Sequence, residues 1–471
     1  MGEYQVTAGI EVHCELKTNT KMFSDSRNEY HADANQNINF VDLAYPGTLP
    51  TVNQKGIELA LKAALLMHCT IHKEMFFDRK NYFYPDLPKG YQITQARTPI
   101  GVNGYVEIEV DGTLKKIGIH DIHIEEDTCK STHLGSFSLL DFNRSGVPLI
   151  EIVSEPDLKS DKEAVLYLEK LRELLLYADI SDCKIEEGSM RCDVNVSVSN
   201  GEKLGTRTET KNVGSIKSVG LSILSEAKRQ VEVLQNGGVI REETRRYDEK
   251  TDQTILMRVK ETGNDYRYFP EPDIPPVLLE DSYIEEVQKA LPVMPDERRE
   301  MYRKAGIAEV NVEKIIQNKK ISDYLLDLPC INLVIASNLL LGDISAYLNK
   351  NGVALEETKM TQDHFIELVQ TLDTGKISSK QAKDILPIIL AEGTSIKILL
   401  EKEGMSQITD EKDILSLIRN VLERETSSVE EYKQGKDRAL KYLMGQVMKE
   451  SKGKVNPALA SQLLVSTLKD L

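Results

Sequence analysis

Apolar and polar side chains alternate strictly in Gly9-Ile10-Glu11-Val12-His13-Cys14-Glu15, near the start of the sequence. Successive side chains of a strand point to opposite faces, so Glu11, His13 and Glu15 are expected to share one face. The apolar residues between them would then face a core. Carboxylates beside an imidazole suit a divalent metal ion or acid–base chemistry. A half-solvated strand of an antiparallel sheet is the alternative that this stretch alone leaves open.

Composition places the chain among acidic globular proteins. Of its 471 residues, 40% are hydrophobic and 28% are charged, and this length predicts about two to four domains. The formal net charge of −16 argues against holding nucleic acid by bulk electrostatics but leaves room for a local basic patch. The sequence shows no signal peptide and no run of the roughly 20 apolar residues that span a bilayer. We therefore expect a cytoplasmic protein without membrane contact.

The six cysteines are scattered and form no C-x-x-C pair. This spacing indicates neither a zinc ribbon nor a disulfide framework. Free thiols in a reducing cytoplasm are the better interpretation. The six positions are Cys14, Cys69, Cys129, Cys183, Cys192 and Cys330.

Carboxylates also lie in two later segments with strand-like patterns. In residues 117–127, Ile122 and Ile124 alternate with acidic or imidazole side chains, and the segment closes on Glu125-Glu126-Asp127. Adjacent carboxylates repel one another unless a cation compensates them. In residues 148–154, Glu151 interrupts an apolar run, where an unpaired carboxylate is costly. A salt-bridged core glutamate and a metal ligand are both open at this point.

Two more strand-like segments present polar residues at alternate positions. Residues 190–198 place polar side chains at every odd number, and residues 206–212 place charged ones there. This mixture is chemically richer than an ordinary solvated sheet surface. The side chains are Arg191, Asp193, Asn195, Ser197, Arg207, Glu209 and Lys211.

An aromatic and basic segment, FDRKNYFYPDLPKGY, occupies residues 77–91 after a predicted helix over 55–67. Its prolines exclude a helix. The segment suits a loop packed over a core, and it equally suits a surface that offers stacking faces and cations to an anionic ligand.

Carboxylates thus lie on at least five separate strand-like segments, interleaved with basic side chains. An antiparallel sheet that gathers them would form a concave face able to hold two Mg²⁺ ions and the phosphates of a nucleotide. The chain has no G-x-x-x-x-G-K-[ST] loop and no G-x-G-x-x-G element that opens a helix. If ATP is used, metal ions held by carboxylates must therefore replace a P-loop.

Five ordered blocks of sequence carry a resemblance to a known family. They are GIEVH at 9–13, FDRKNYFYPDLPKG at 77–90, PLIEIVSEPD at 148–157, EGSMRCDVN at 187–195 and DYRYFPEPD at 265–273. With them, the chain resembles along its length the B subunits of the bacterial tRNA-dependent amidotransferases. The resemblance implies an α+β fold with an N-terminal antiparallel-sheet cradle, similar to glutamine synthetase, over residues 1–294. An all-α helical domain over 295–405 and a YqeY-like helical tail over 406–471, which binds tRNA, would follow.

The resemblance also implies a reaction. Members of the family convert misacylated Glu-tRNA(Gln) or Asp-tRNA(Asn) into Gln-tRNA(Gln) or Asn-tRNA(Asn), with ATP as co-substrate and Mg²⁺ as cofactor. ATP phosphorylates the side-chain carboxylate of the tRNA-borne amino acid, and ammonia then displaces phosphate. An amidase-type A subunit is expected to supply the ammonia from glutamine, and a small C subunit completes a heterotrimer. The sequence leaves open which misacylated tRNA is used.

The resemblance assigns roles by position. His13, Glu126 and Glu151 would hold the catalytic Mg²⁺, whereas Glu11, Asp193 and Glu209 would lie near a second ion. Lys80 and Arg191 would join Glu126 and Glu151 as catalytic residues, and Arg207 and Lys211 would bind the nucleotide.

The sequence departs from the family at a set of zinc-binding cysteines that many members carry. The corresponding stretches here are FSDS at 23–26 and NFVDL at 39–43, so no structural zinc is expected. In the tail, residues 433–438 and 445–454 cluster lysine and arginine, which suits either an RNA-backbone contact or an ordinary solvated helix face.

Two other classes of function fit the sequence less well. A glutamine-synthetase-like ligase acting on a free acid does not explain the helical C-terminal units with their lysine-rich turns. A non-catalytic tRNA-binding scaffold does not explain carboxylates on so many strands.

Three local signals concern the elements. Asn103-Gly104 and Asp111-Gly112 each predict a hairpin turn. Residues 161–177 predict an amphipathic helix with Ser160 or Asp161 as its N-cap.

Overall fold

The computed structural model describes residues 4–201, 203–211, 213–259, 266–329, 331–403, 410–433, 436–451, 455 and 457–469. The chain divides into two compact units, Met1–Pro295 and Asp296–Leu471. The predicted boundary at 294/295 lies beside this division. The predicted boundary at 405/406 lies outside the described residues.

The first unit is built on a mainly antiparallel sheet. Its strands are β1 (Gln5–Glu15), β2 (Thr70–Ile71), β3 (Glu74–Met75), β4 (Asp78–Asn81), β5 (Tyr91–Thr94), β6 (Gly101–Val110), β7 (Thr113–Glu126), β8 (Lys130–Leu134), β9 (Phe137–Asp141), β10 (Pro148–Ser154), β11 (Met190–Ser199), β12 (Thr208–Lys211), β13 (Glu243–Asp248), β14 (Gln253–Val259), β15 (Phe269–Pro270) and β16 (Val277–Leu278). Nine of them form one sheet in the order β14-β13-β12-β11-β1-β10-β7-β6-β2. Within it, only the β12–β13 pair is parallel among the described strands. Smaller sheets have the orders β15-β4-β5, β16-β3 and β8-β9.

The predicted strand β1 lies inside the large sheet, paired with β10 and β11. Its even-numbered residues Ile10, Val12 and Cys14 are fully buried. They join one hydrophobic core with side chains from the helices α1 (Gln54–Leu66), α2 (Asp161–Tyr177) and α3 (Ile216–Gln235). Because this core occupies the even-numbered face, the odd-numbered face of β1 is the one that carries polar groups.

Two of the first three helices, α1 and α2, were predicted from the sequence. α2 begins where the sequence predicts, and the Ser160 side chain accepts a hydrogen bond from the Glu163 backbone N–H at 3.2 Å, as an N-cap does. α1 matches the helix predicted over residues 55–67. α3 is not predicted by the sequence pattern. A fourth helix, α4 (Asp281–Lys289), ends the unit.

The two Asn/Asp-Gly signals have different outcomes. Asp111-Gly112 forms the predicted turn, and Val110 pairs with Thr113 across it. The hairpin predicted at Asn103-Gly104 is wrong, because both residues lie inside β6. A Cβ on Gly104 would lie 2.3 Å from the Met67 carbonyl oxygen, so this glycine allows a close backbone approach.

The second unit is mainly helical in its described residues. Its helices are α5 (Pro295–Lys304), α6 (Glu309–Gln317), α7 (Lys319–Leu326), α8 (Leu333–Leu339), α9 (Ser345–Asn351), α10 (Gln362–Asp373), α11 (Ser379–Glu392), α12 (Ile396–Glu403), α13 (Glu411–Arg424), α14 (Thr426–Lys433), α15 (Asp437–Glu450) and α16 (Pro457–Lys469), with a π-helical turn at Leu340–Ile344 and a 3₁₀ turn at Leu355–Glu357. Phe365 belongs to one hydrophobic core, and Ile414, Leu443 and Leu464 belong to another.

The predicted α+β class, with a sheet domain followed by a helical region and a helical tail, is confirmed. In the described part of the chain, none of the helices is both long enough and apolar enough to cross a membrane.

Candidate metal centre

Two groups of potential metal ligands lie next to each other on the odd-numbered face of the nine-stranded sheet. We call His13, Glu125 and Glu151 the histidine cluster, and Glu11, Asp193 and Glu209 the carboxylate cluster. Within each cluster the ligand atoms lie within 4.8 Å of one another. Glu11 and His13 are consecutive on one face of β1, which sets the clusters about 7 Å apart along that strand.

Strand register assembles the histidine cluster. His13 is opposite Glu151 across β1 and β10, and Glu151 is opposite His123 across β10 and β7. Glu151 Oε2 lies 3.4 Å from His13 Nε2 and 3.1 Å from His123 Nε2. His123 Nε2 also lies 3.4 Å from Glu125 Oε1, while its Nδ1 lies 2.7 Å from Asp121 Oδ1.

These contacts shift the proton affinities in opposite directions. Burial opposes the charge on His123, but hydrogen bonds to Asp121, Glu125 and Glu151 prevail and raise the pKa of His123 well above its ordinary value. Burial likewise opposes the charge on Glu151, but its two histidine partners prevail and hold its pKa well below the ordinary range. The cluster therefore stabilises a carboxylate beside protonated imidazole when no other cation is bound.

Glu126 does not lie in the histidine cluster. Its carboxylate pairs with Lys89, and its Oε1 accepts the Ile93 backbone N–H at 2.9 Å. Because side chains alternate along β7, Glu125 shares the face of His123 whereas Glu126 does not. We therefore replace Glu126 with Glu125 as the candidate ligand and catalytic carboxylate.

The carboxylate cluster is assembled by β1, β11 and β12. Glu11 is opposite Asp193 across β1 and β11. Lys211 forms ion pairs with Asp193 and with Glu209, the latter at 2.8 Å. Asn195 Nδ2 donates to Glu11 Oε1 at 2.9 Å. The structure thus brings together all three residues that the sequence predicts near a second ion.

The charges of this face are incompletely compensated. Burial and then the charge of Glu151 raise the pKa of Glu11, and the charges of Asp193 and Glu209 add to this, although the Asn195 hydrogen bond lowers it. Crowded carboxylate oxygens with one imidazole are the donor set that suits Mg²⁺ or Mn²⁺. The residues present therefore fit divalent ions.

The predicted cations occupy different positions around the clusters. Lys80 Nζ lies 5.1 Å from the Tyr266 ring centroid. Burial opposes the charge on Lys80, but neighbouring charges, that of Glu125 first, prevail and raise its pKa. Arg191 Nη2 donates to Asp127 Oδ2 at 2.7 Å. Arg207 is exposed and lies at the carboxylate-cluster end of the face.

Two open cavities run along this face. The first, of about 500 Å³, is lined by His13, Glu125, Asp193, Lys80, Arg191 and Lys211 among others. The second, of about 470 Å³, is lined by Glu11, Asn195, Gly9 and Arg207 among others. Both volumes lie within the range of about 300–1,000 Å³ that is typical of ligand pockets.

Some neighbours of the clusters are not predicted from sequence. The sequence does carry a signal for His123, because it alternates with the apolar residues Ile122 and Ile124 as a strand residue on the polar face would. Gln92 Nε2 donates to Glu125 Oε2 at 3.2 Å and Thr94 donates to Glu125 Oε1 at 3.0 Å, but their segment carries no pattern that distinguishes it.

A polar network fills the loop in which the sequence predicts no structural zinc. Asp42 accepts hydrogen bonds from the hydroxyls of Ser24 and Ser26 at 2.7 and 2.5 Å. The fully buried Lys21 lies 3.3 Å from the same carboxylate. Hydroxyl, carboxylate and ammonium groups thus hold this loop together, and the absence of structural zinc stays a prediction.

Comparison with known proteins gives matches along the whole chain. A family model described as the GatB/GatE catalytic domain matches residues 6–285, and one described as the GatB domain matches residues 332–468. The chain is 48% identical over 470 residues to the B subunit of the aspartyl/glutamyl-tRNA(Asn/Gln) amidotransferase of Staphylococcus aureus strain JH9, with 99% of each chain covered. Proteins of the same name from strains Newman and USA300 match to the same extent.

Proposed function

Because the chain belongs to the GatB/GatE family of amidotransferase B subunits, we propose that it performs the ATP-dependent transamidation of misacylated Glu-tRNA(Gln), Asp-tRNA(Asn) or both. The observation that carries this proposal is the pair of adjacent clusters on one sheet face. Both clusters offer hard oxygen ligands, which suit divalent ions that neutralise the phosphates of a nucleotide.

The histidine cluster would hold the catalytic Mg²⁺, and the carboxylate cluster would hold a second ion. Bound there, Mg²⁺ supplies charge neutralisation to the phosphates of ATP. A carboxylate is a poor electrophile, so the side chain of the tRNA-borne residue is first phosphorylated by ATP, which leaves ADP. Ammonia then forms the C–N bond as the C–O bond to phosphate breaks, and a proton and inorganic phosphate leave.

The side chains around the clusters position these groups. Lys80 lies beside Glu125 and takes part in no ion pair among the described residues, so it is available to a substrate carboxylate or phosphate oxygen. His123 orients Glu151 through the hydrogen bond between them. Arg207 lines the second cavity, where it can contact the nucleotide.

The wider assembly is part of the same proposal. Curated relatives are named as the B subunit of an amidotransferase, which supports a multi-subunit enzyme. We assign ammonia supply from glutamine to an amidase-type A subunit and completion of a heterotrimer to a small C subunit. tRNA binding is assigned to residues 406–471, and the reaction to the cytoplasm, where its tRNA substrates and ATP occur.

Glu151→Gln tests this function in the assembled enzyme, because the change removes the central charge while keeping the shape. Amide formation on misacylated tRNA should fall at least about 100-fold, since even indirect supporters of a metal site are worth about 10–100-fold. Equilibrium tRNA binding should stay near that of the wild type. The control is Glu107→Gln, which removes a carboxylate from an exposed ion pair with Lys116.

Two results would contradict the proposal. Full transamidation by the Glu151→Gln enzyme would show that the histidine cluster is not the reaction site. Equal amidation of free glutamate or aspartate by the wild type would show a free-acid ligase.

A further inference from the structure

A row of tyrosine rings lies beside the histidine cluster. Ring centroids are 6.2 Å apart for Tyr84 and Tyr82, 6.3 Å for Tyr82 and Tyr266, and 6.1 Å for Tyr266 and Tyr268. The last two pairs meet nearly edge to face, with interplanar angles of 71° and 75°. Such edge contacts fix the rings in place without stacking them on one another.

Two neighbouring segments of chain hold this row. β4 pairs with β15 in antiparallel fashion, and beyond the paired residues the Asn81 backbone N–H donates to the Tyr266 carbonyl at 3.0 Å. The Asn81 side chain donates to the Arg267 carbonyl at 2.7 Å. These bonds align the segment that carries Tyr82 and Tyr84 with the segment that carries Tyr266 and Tyr268.

The row passes beside the reaction site at Tyr266. Lys80 lies 5.1 Å from the Tyr266 ring centroid and lines the first cavity together with His13 and Glu125. Tyr268 is the next ring of the row, with its centroid 6.1 Å from that of Tyr266.

Both ends of the row are exposed to solvent. Tyr84 is 65% exposed and its neighbour Phe83 is 76% exposed, which makes Phe83 one of the most exposed large apolar side chains among the described residues. Tyr268 is also exposed, at 47%. Consecutive exposed aromatic side chains are costly to leave in water, so they indicate a ligand that covers them.

We propose that Phe83, Tyr84 and Tyr268 form a stacking platform for the single-stranded 3′ end of the aminoacyl-tRNA, which guides the acyl group past Lys80 to the histidine cluster. This inference rests on the proposed function and adds a binding surface to it. Unpaired bases stack on aromatic side chains whatever their sequence, and a nearby cation attracts the backbone phosphates.

Charge and position favour RNA over a protein partner as the occupant. Lys80 links the row to the cavity that must receive the acyl end of the substrate, because it lines that cavity and lies 5.1 Å from the Tyr266 ring centroid. Lys80 also pairs with none of the described carboxylates. A partner protein would cover the rings without any need for the row to lead to the site.

A thermodynamic cycle on the assembled enzyme tests the platform. Phe83→Ala and Tyr84→Ala, together and singly, are measured for equilibrium binding of intact tRNA and of the same tRNA trimmed of its three 3′-terminal nucleotides. The double variant should weaken binding of intact tRNA by on the order of tenfold or more, since stacking of a base is worth about 1–3 kcal/mol. Binding of trimmed tRNA should change less than twofold.

Further variants separate stacking from structure. Tyr84→Trp keeps a stacking face and should restore intact-tRNA binding to within about threefold of wild type. Leu114→Ala, a similarly exposed apolar residue at the far end of β7 from Glu125, should leave both bindings unchanged. The KM for ATP should be the same in every variant, because the platform does not contact the nucleotide.

Three outcomes would overturn the inference. Equal losses for intact and trimmed tRNA would place the 3′ end elsewhere. Unchanged binding of intact tRNA would show that these aromatic side chains do not bind it. Loss of subunit assembly in the alanine variants would show that the rings are a protein interface. In each of these cases the Glu151→Gln result still decides the proposed function independently.

Discussion

At the scale of residues, the two neighbours Glu125 and Glu126 have separate tasks. Glu125 faces His123 and the histidine cluster, whereas Glu126 pairs with Lys89 on the other side of β7. Glu125→Gln should therefore weaken Mg²⁺ binding and lower transamidation by at least about 100-fold. Isothermal titration with Mg²⁺ and the transamidation assay measure the two effects.

Glu126→Gln serves as the matched comparison. It should keep Mg²⁺ affinity within about twofold, yet lower the free energy of unfolding by about 1.5–3 kcal/mol because a charged hydrogen bond to Lys89 is lost. If instead Glu126→Gln abolished Mg²⁺ binding and Glu125→Gln did not, the assignment of Glu125 would be wrong.

Glu15 makes stability depend on pH. Burial raises the pKa of Glu15 to about 7, although the hydrogen bond from Tyr30 acts in the opposite direction. A raised carboxyl pKa means that the folded state holds a proton that the unfolded state has released. The contribution to stability is therefore complete below about pH 4.5 and is lost as pH rises towards 7.

Glu15→Gln should abolish that loss, because the amide does not ionise. Relative to the wild type, the variant should gain up to about 3 kcal/mol between about pH 4.5 and pH 8, because each pH unit by which burial raises the Glu15 pKa corresponds to about 1.36 kcal/mol. Chemical denaturation of the metal-free protein at several pH values measures it. A difference between the two proteins that is constant with pH would refute the role given to Glu15.

At the scale of elements, the success of sequence patterns depends on what an element buries. β1 and α2 bury apolar side chains at the expected period, so both were predictable. α3 places Ser218, Ser222, Glu226 and Gln230 towards the core at intervals of four, and all four are buried. A pattern that treats polar residues as exposed misses such a helix.

The buried polar stripe of α3 has partners that only the fold supplies. Glu226 accepts hydrogen bonds from Thr208 at 2.7 Å and from Thr254 at 2.5 Å. Gln230 Nε2 donates to the Val196 carbonyl at 3.0 Å. α3 therefore holds β11, β12 and β14 through hydrogen bonds, and its position behind the carboxylate cluster could not be derived from local sequence.

The candidate site was likewise predictable within each strand but not between strands. Alternation along a strand places Glu11 with His13, and it also separates Glu125 from Glu126. Alternation does not reveal which strands become neighbours, so the contact between β10 and β7 that joins His123 to Glu151 needed the structure.

At the scale of the whole molecule, the proposed function requires an acidic chain to bind a polyanion. The net charge of −16 opposes RNA binding overall, so any tRNA contact has to be local. The tail from residue 410 has its own hydrophobic core, built around Ile414, Leu443 and Leu464. Its exposed basic side chains include Arg438 and Lys449, while residues 434, 435 and 452–454 of the lysine-rich turns lie outside the described part of the chain.

Removal of the tail near Ile408, itself outside the described residues, should therefore raise the KM for misacylated tRNA several-fold with little change in the KM for ATP. The clusters that would bind metal and ATP belong to the first unit and should be unaffected. Each lost phosphate contact should also lower the slope of log affinity against log salt by about one unit. Steady-state kinetics over a range of KCl concentrations measure both quantities.

As a control, Lys320→Glu alters an exposed lysine of the other helical region, which pairs with Glu356, and should leave the KM for tRNA unchanged. If the truncated enzyme kept the wild-type KM and salt slope, tRNA would have to be held by other parts of the assembly.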